Sequence, residues 1–146
     1  MEMQIVFQLI LATVLGALIG LEREIKRKEA GLQTYSLVAL GACLFTIISF
    51  ELFYSFFDKV GVSYDPSRII QAVAIGIGFI GAGVIFRQES GIIGLTTAAG
   101  LWVAAAIGVA VGVGLYALAI IGTILALLVL IGLGAIEKRA FEKNRR

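Results

Sequence analysis

The chain has 146 residues, 60% of them hydrophobic and 15% charged, with a formal net charge of +2 and a mean hydropathy of +1.01. A soluble domain of this size keeps most residues near its surface and cannot hide that much apolar area, so a water-soluble globule is excluded. The weak net charge argues against a nucleic-acid partner, the absence of histidine removes the usual catalytic base and commonest transition-metal ligand, and the single Cys43 excludes an intramolecular disulfide.

The first predicted span covers about residues 5–21. Met1-Glu2-Met3-Gln4 lacks the basic start of a cleavable signal peptide, so the segment reads as a retained span. A charged stretch, Glu22 to Glu29, follows. The second span covers about 35–57, with Glu51 near its far end. After a short polar loop, Asp65-Pro66 marks a helix start, aspartate as cap and proline in the first helical position. The third span covers about 67–86, and the next loop holds Arg87, Gln88, Glu89, Ser90 and Gly91. From Leu95 to Ile136 the chain carries no charge. One helix of that length, at ~1.5 Å per residue, would be about twice the ~30 Å hydrocarbon core, so the run folds back on itself. The turn is expected in the cluster Gly108, Gly112, Gly114, giving spans at 95–112 and 115–136 before a basic tail at 137–146.

The basic residues test this count. Five spans put Arg23, Lys26, Arg27, Lys28, Arg87 and the five tail residues on one side, ten in all, against Lys59 and Arg68 on the other. Merging the last two spans gives seven against five. Cytoplasmic loops carry the excess of Lys and Arg, so the split predicts five spans, N-terminus outside and C-terminus cytoplasmic. The segments around Arg23 and Gly31-Leu32-Gln33-Thr34 parallel those around Arg87 and Gly94-Leu95-Thr96-Thr97. The expected fold is therefore all-α: one domain over 1–146, a polytopic transmembrane helix bundle of two similar hairpins plus a fifth helix.

Gly76-x-Gly78-x-x-Gly81 spells a dinucleotide fingerprint but lies inside an apolar run without the strand before it or the acid after it. Close helix packing is the better reading. Lipid tails are as apolar as leucine, so helices associate where small residues let backbones approach. Ala12, Gly16 and Gly20, then Ala74, Gly78 and Ala82, then Ala104, Gly108 and Gly112 repeat every four residues, which predicts tight packing of spans 1, 3 and 4. Trp102 sits mid-span and reads as packing, and the bulky fifth span reads as lipid-facing.

Glu22, Arg23, Glu24, Thr34, Arg87, Thr96 and Thr97 gather at span ends on the inner side. They read either as a polar inner site held by mutual pairing or as snorkelling side chains that anchor helix ends. On the outer side Glu51 and Arg68 lie at similar depth, which suggests an ion pair; headgroup contact is the alternative. No nucleophile–base pair is visible, so neither an enzyme nor a cofactor is expected. Glu22 and Glu24 point about 200° apart on a continuous helix, so they do not share a metal ion.

The run Gly16-Ala17-Leu18-Ile19-Gly20-Leu21-Glu22-Arg23-Glu24, with Ala30-Gly31-Leu32-Gln33-Thr34, resembles the MgtC/SapB family. So do Asp65-Pro66-Ser67-Arg68, the glycine run Gly76 to Gly83, and Gly94-Leu95-Thr96-Thr97-Ala98-Ala99 with Trp102 and Ala105 to Gly108. Gln33 stands where the family usually has arginine, Tyr35 where histidine is common, and Gly100 where a larger residue is usual. No counterpart of the soluble C-terminal domain of longer members is expected after the membrane region. The resemblance implies a bacterial inner-membrane protein from a family linked to magnesium limitation, the rotary ATP synthase and membrane potential. The expected function is non-enzymatic regulation through helix contacts, within the lipid bilayer, with itself as a homodimer or with another membrane protein complex. The alternative is a small ion or solute transporter or channel.

Overall fold

The structure, a computed structural model, describes residues 2–57, 65–89 and 91–136. The basic tail and Lys59, used in the count of charges, lie outside the described residues. Among the described residues there are five helices: α1 (Glu2–Ile25), α2 (Leu32–Phe56), α3 (Ser67–Gly83), α4 (Leu95–Val113) and α5 (Tyr116–Leu128). A single π-helical turn, Val129–Leu133, extends α5, and the combined helix Tyr116–Ile136 is 21 residues long. That helix, α1, α2 and α4 are each long and apolar enough to cross a membrane. With 17 residues, α3 rises about 25 Å at ~1.5 Å per residue, the short end of what spans a bilayer.

The third span is shorter than its apolar run suggests. The helix stops at Gly83, and Phe86–Gln88 (β1) pairs antiparallel with Gly91–Ile93 (β2), Arg87 opposite Ile92. Gly94 then turns the chain into α4 at φ 86°, and a Cβ there would run into the Val84 carbonyl. A hairpin of Ile and Phe reads like the end of a helix when only hydropathy is followed.

The other helix ends follow local chemistry. Asp65 Oδ1 accepts the Ser67 N–H at 2.9 Å at the start of α3, but the helix begins at Ser67, so Pro66 holds the N-cap position expected of the aspartate. Between α4 and α5 only Gly114 makes the turn, at φ 90°. Its N–H donates to Val111 and that of Leu115 donates to Ala110, the paired hydrogen bonds of a Schellman motif. Gly108 and Gly112 lie within α4 and pack.

The core is a three-helix layer with α2 against both α1 and α4. Ala12, Leu15 and Ile19 of α1 meet Tyr35, Ala42, Cys43 and Ile47 of α2 and Leu101, Ala104, Ile107 and Val111 of α4. The glycines set the spacing. A Cβ on Gly16 would lie 2.6 Å from the Tyr35 carbonyl oxygen and 2.8 Å from Ala39 Cβ; one on Gly20 would lie 2.8 Å from Leu32 Cα. One on Gly108 would strike the Ala39 carbonyl, and one on Gly112 would lie 2.7 Å from Thr46 Cβ.

So two of the three small-residue faces pack as expected, but their common partner is α2 rather than α3. Spacing alone overlooked Ala39, Ala42 and Cys43, the small side chains that let α2 sit between its neighbours. In α3 only Ile77 and Gly81 are buried, Gly81 in ordinary contact with Ala98 Cβ at 3.6 Å. Ala74, Gly78 and Ala82 are exposed, and no atom lies within 4 Å of a Cβ placed on Gly78. Trp102 is 57% exposed and faces outward instead of filling the core.

Candidate functional site

The polar interest lies where α1 ends, α4 begins and the π turn of α5 passes. A cavity of about 720 Å³ opens there, lined by Arg23, Lys26, Lys28 and Glu29, by Ile92 and the start of α4 from Gly94 to Thr97, and by Val129, Leu130, Leu133 and Gly134. Among the described residues, the last turn of α1 and the connection to α2 supply every charged lining residue.

Glu22 and Arg23 are buried, at 8% and 3% exposure. Arg23 folds back so that Nε lies 2.8 Å from Glu22 Oε2, while Lys26 Nζ lies 2.5 Å from Glu22 Oε1. Both contacts are ion pairs by distance, yet Arg23 Nε and the two carboxylate oxygens lack an aligned hydrogen bond. Lys26 also donates to the Leu130 carbonyl at 2.9 Å, inside the π turn. Single π turns are frequent at functional sites, and this one is tied to the end of α1 by the Lys26 hydrogen bond.

A second chain of contacts joins the α1–α2 connection, α2 and α4. Thr97 Oγ1 donates to Glu29 Oε2 at 2.6 Å, and the buried Tyr35 hydroxyl donates to the Thr97 carbonyl at 3.0 Å. The Thr97 hydroxyl and the backbone, with the nearby Lys28 and Arg23 charges, hold the Glu29 carboxyl below the usual carboxylate range against the opposing effect of burial. Glu24 Oε2 accepts the Leu32 N–H at 3.1 Å, capping α2. It fills the space a side chain on Gly31 would need.

The structure brings Glu22, Arg23, Thr96 and Thr97 together. Glu24 is nearby as a cap. Thr34 lines a different groove, between α2 and α3. Arg87 is exposed on β1, and among the described residues the only ion pairs are those of Glu22 with Arg23 and Lys26, so Arg87 pairs with neither Glu22 nor Glu24. Glu51 and Arg68 are likewise exposed and form no pair; instead the Ser49 hydroxyl donates to the Pro66 carbonyl at 3.2 Å, linking α2 to the start of α3. Sequence reading missed Lys26, Lys28, Glu29 and Tyr35 as site residues. Glu22 and Lys26 were legible as an i,i+4 pair, a spacing that places them on one helix face. No group of three or more His, Cys, Asp or Glu that could hold a metal ion occurs among the described residues.

A model of the family described as MgtC matches residues 9–139. The chain belongs to the MgtC family. Among its relatives in that family, YhiD of Escherichia coli K12 is 43% identical over 144 residues, covering 99% of this chain and 67% of YhiD. SapB of Bacillus subtilis is 44% identical over 113 residues, covering 77% of this chain and 49% of SapB. Protein MgtC of Brucella abortus is 42% identical over 113 residues, covering 77% of this chain and 44% of that protein. The chain thus spans about half the length of the latter two. No solved structure gives a significant match. Tyr35 and Gly100 meet in space: a Cβ on Gly100 would run into the Tyr35 hydroxyl and come within 3.2 Å of its ring. The tyrosine occupies room that a larger residue 100 would fill.

Proposed function

We propose that the protein is a non-enzymatic regulator in the bacterial inner membrane, acting through helix contacts with a second copy of itself or with another membrane complex. The supporting observation is the face of α3. Ala74, Gly78 and Ala82 are small, spaced by four and exposed, and no atom lies within 4 Å of a Cβ placed on Gly76, Gly78 or Gly83. In lipid such a face gains van der Waals contact only when another helix approaches closely. Phe79, 86% exposed, and an apolar groove of about 770 Å³ between α2 and α3 flank it. The ten-to-two distribution of basic residues supports an outside N-terminus and a cytoplasmic C-terminus. The family resemblance supports a response to magnesium limitation or membrane potential.

The second reading, a small transporter, draws support from the name of YhiD, which offers magnesium transport as that protein's role. The charge of the cavity weighs against a divalent cation there, since Arg23, Lys26 and Lys28 outnumber Glu29 among its lining residues. Native mass spectrometry on Gly78→Leu separates the readings. Loss of the dimer with membrane insertion retained supports contact through α3; unchanged oligomer size refutes it. Magnesium, proton or potassium flux in proteoliposomes holding only this protein would establish the transporter instead.

A further inference from the structure

We propose that the cavity at the end of α1 is a binding site for a phosphate-bearing anion, held between Arg23, Lys28 and the first turn of α4. The site does not depend on the role of α3.

The first observation is Arg23. It is 3% exposed and lines the cavity, yet beyond the Glu22 contact at Nε its guanidinium makes no hydrogen bond to another described residue. A guanidinium carries five N–H donors in a planar fork. Nε is turned to Glu22, so the terminal N–H groups of the fork are left without an acceptor among the described residues, and an anion in the cavity supplies one.

The second observation is the start of α4. Its N-cap is Gly94, which has no side chain to accept the free N–H groups of the first turn. Those groups and the helix dipole favour a negative charge, the arrangement that holds phosphates at helix N-termini. The protein already places one anion there, because Glu29 accepts the Thr97 hydroxyl. Thr96 lines the same space.

The charges fit. Arg23, Lys26 and Lys28 face the cavity against Glu29, and Glu22 behind it offsets one of the three cations, which leaves a net positive site. Arg27 on the connection and Glu24 in the last turn of α1, both exposed, cancel each other. About 720 Å³ is far more than a halide needs and accommodates a phosphate with an organic group attached. A fork of N–H donors beside a helix N-terminus matches the tetrahedral oxygens of phosphate. The phosphate belongs either to a soluble molecule or to an anionic lipid headgroup, since the cavity lies at helix ends.

The test uses the full chain in detergent and native mass spectrometry. One arm titrates inorganic phosphate and the other phosphatidylglycerol in mixed micelles with a neutral detergent. Saturable one-site binding in either arm is the expected result, and the arm that shows it identifies the source. Arg23→Gln should weaken binding about 10- to 100-fold, the effect of one charge-assisted hydrogen bond. Lys28→Gln should weaken it several-fold, and Glu29→Gln should strengthen it by removing a competing carboxylate. Lys28 and Glu29 are exposed, so these two variants carry the test even if Arg23→Gln fails to fold. Saturable binding in neither arm overturns the proposal, as does affinity unchanged in both Lys28→Gln and Glu29→Gln.

Discussion

Gly16→Ala gives a direct measure of how the core is assembled. The new methyl carbon would sit 2.6 Å from the Tyr35 carbonyl oxygen and 2.8 Å from Ala39 Cβ. Non-bonded heavy atoms settle at about 3.5–4.0 Å, so α1 and α2 must separate by about 1 Å. Part of that strain falls on backbone, which cannot rotate aside as a flexible side-chain end can. Overpacking of this kind costs about 1–3 kcal/mol, which lowers the ratio of folded to unfolded protein by roughly five-fold to more than a hundred-fold. Gly78→Ala is the matched control: the substitution is the same, also within an apolar helix, but no atom lies within 4 Å of the added carbon. It should leave the protomer as stable as before, or slightly more so through helix propensity. The assay is reversible unfolding in mixed detergent micelles, followed by circular dichroism at several protein concentrations. Equal stability of Gly16→Ala and the parent would refute the α1–α2 geometry. A concentration-independent loss in Gly78→Ala would refute the placement of α3, whereas a loss that grows on dilution would report the α3 interface proposed above.

Three further expectations can be checked in the same assay. Gln8 donates to the Val111 and Gly112 carbonyls at 3.0 and 3.1 Å, so Gln8→Leu should destabilise by about 1 kcal/mol, at roughly 0.6 kcal/mol per interhelical hydrogen bond. Gly100→Ala should cost about 1–3 kcal/mol by pressing on the Tyr35 hydroxyl, and Tyr35→Phe in the same chain should recover part of that loss; a double-mutant cycle with no coupling energy would contradict the contact. Because the folded-state pKa of Glu29 is lowered, its contribution is present above the unfolded-state value and is lost as pH falls through the lowered one. Acid titration should therefore show a loss of stability below the usual carboxylate range that is smaller in Glu29→Gln.

The helices were legible because spanning a bilayer imposes about twenty apolar residues on each, and the uncharged run from Leu95 to Ile136 had to break. Gly114 was named as part of its turn, but Gly108 and Gly112 were not separable from it. A glycine needed for positive φ and one needed for close approach look alike in a sequence. The packing partner was harder. Whether Ala74-Gly78-Ala82 meets its own chain or another molecule depends on helix rotation, which a four-residue spacing leaves open. The candidate site was half visible. Charged ends of spans announce themselves, yet Thr97 and Glu29 are 68 positions apart, and only the fold joins them. Arg87 was placed with Arg23 because both end apolar runs; it lies exposed on the β-hairpin, and among the described residues it forms no ion pair.

The fit of the Tyr35 hydroxyl over Gly100 also constrains how this chain can change by mutation. A side chain at position 100 and a hydroxyl at position 35 exclude each other, so neither residue has an effect that can be stated without the other. Variants at position 100 will consequently look intolerant in this background and tolerant in one with a shorter residue 35. A mutational scan of this protein alone would misread as a demand for glycine what is a demand for room.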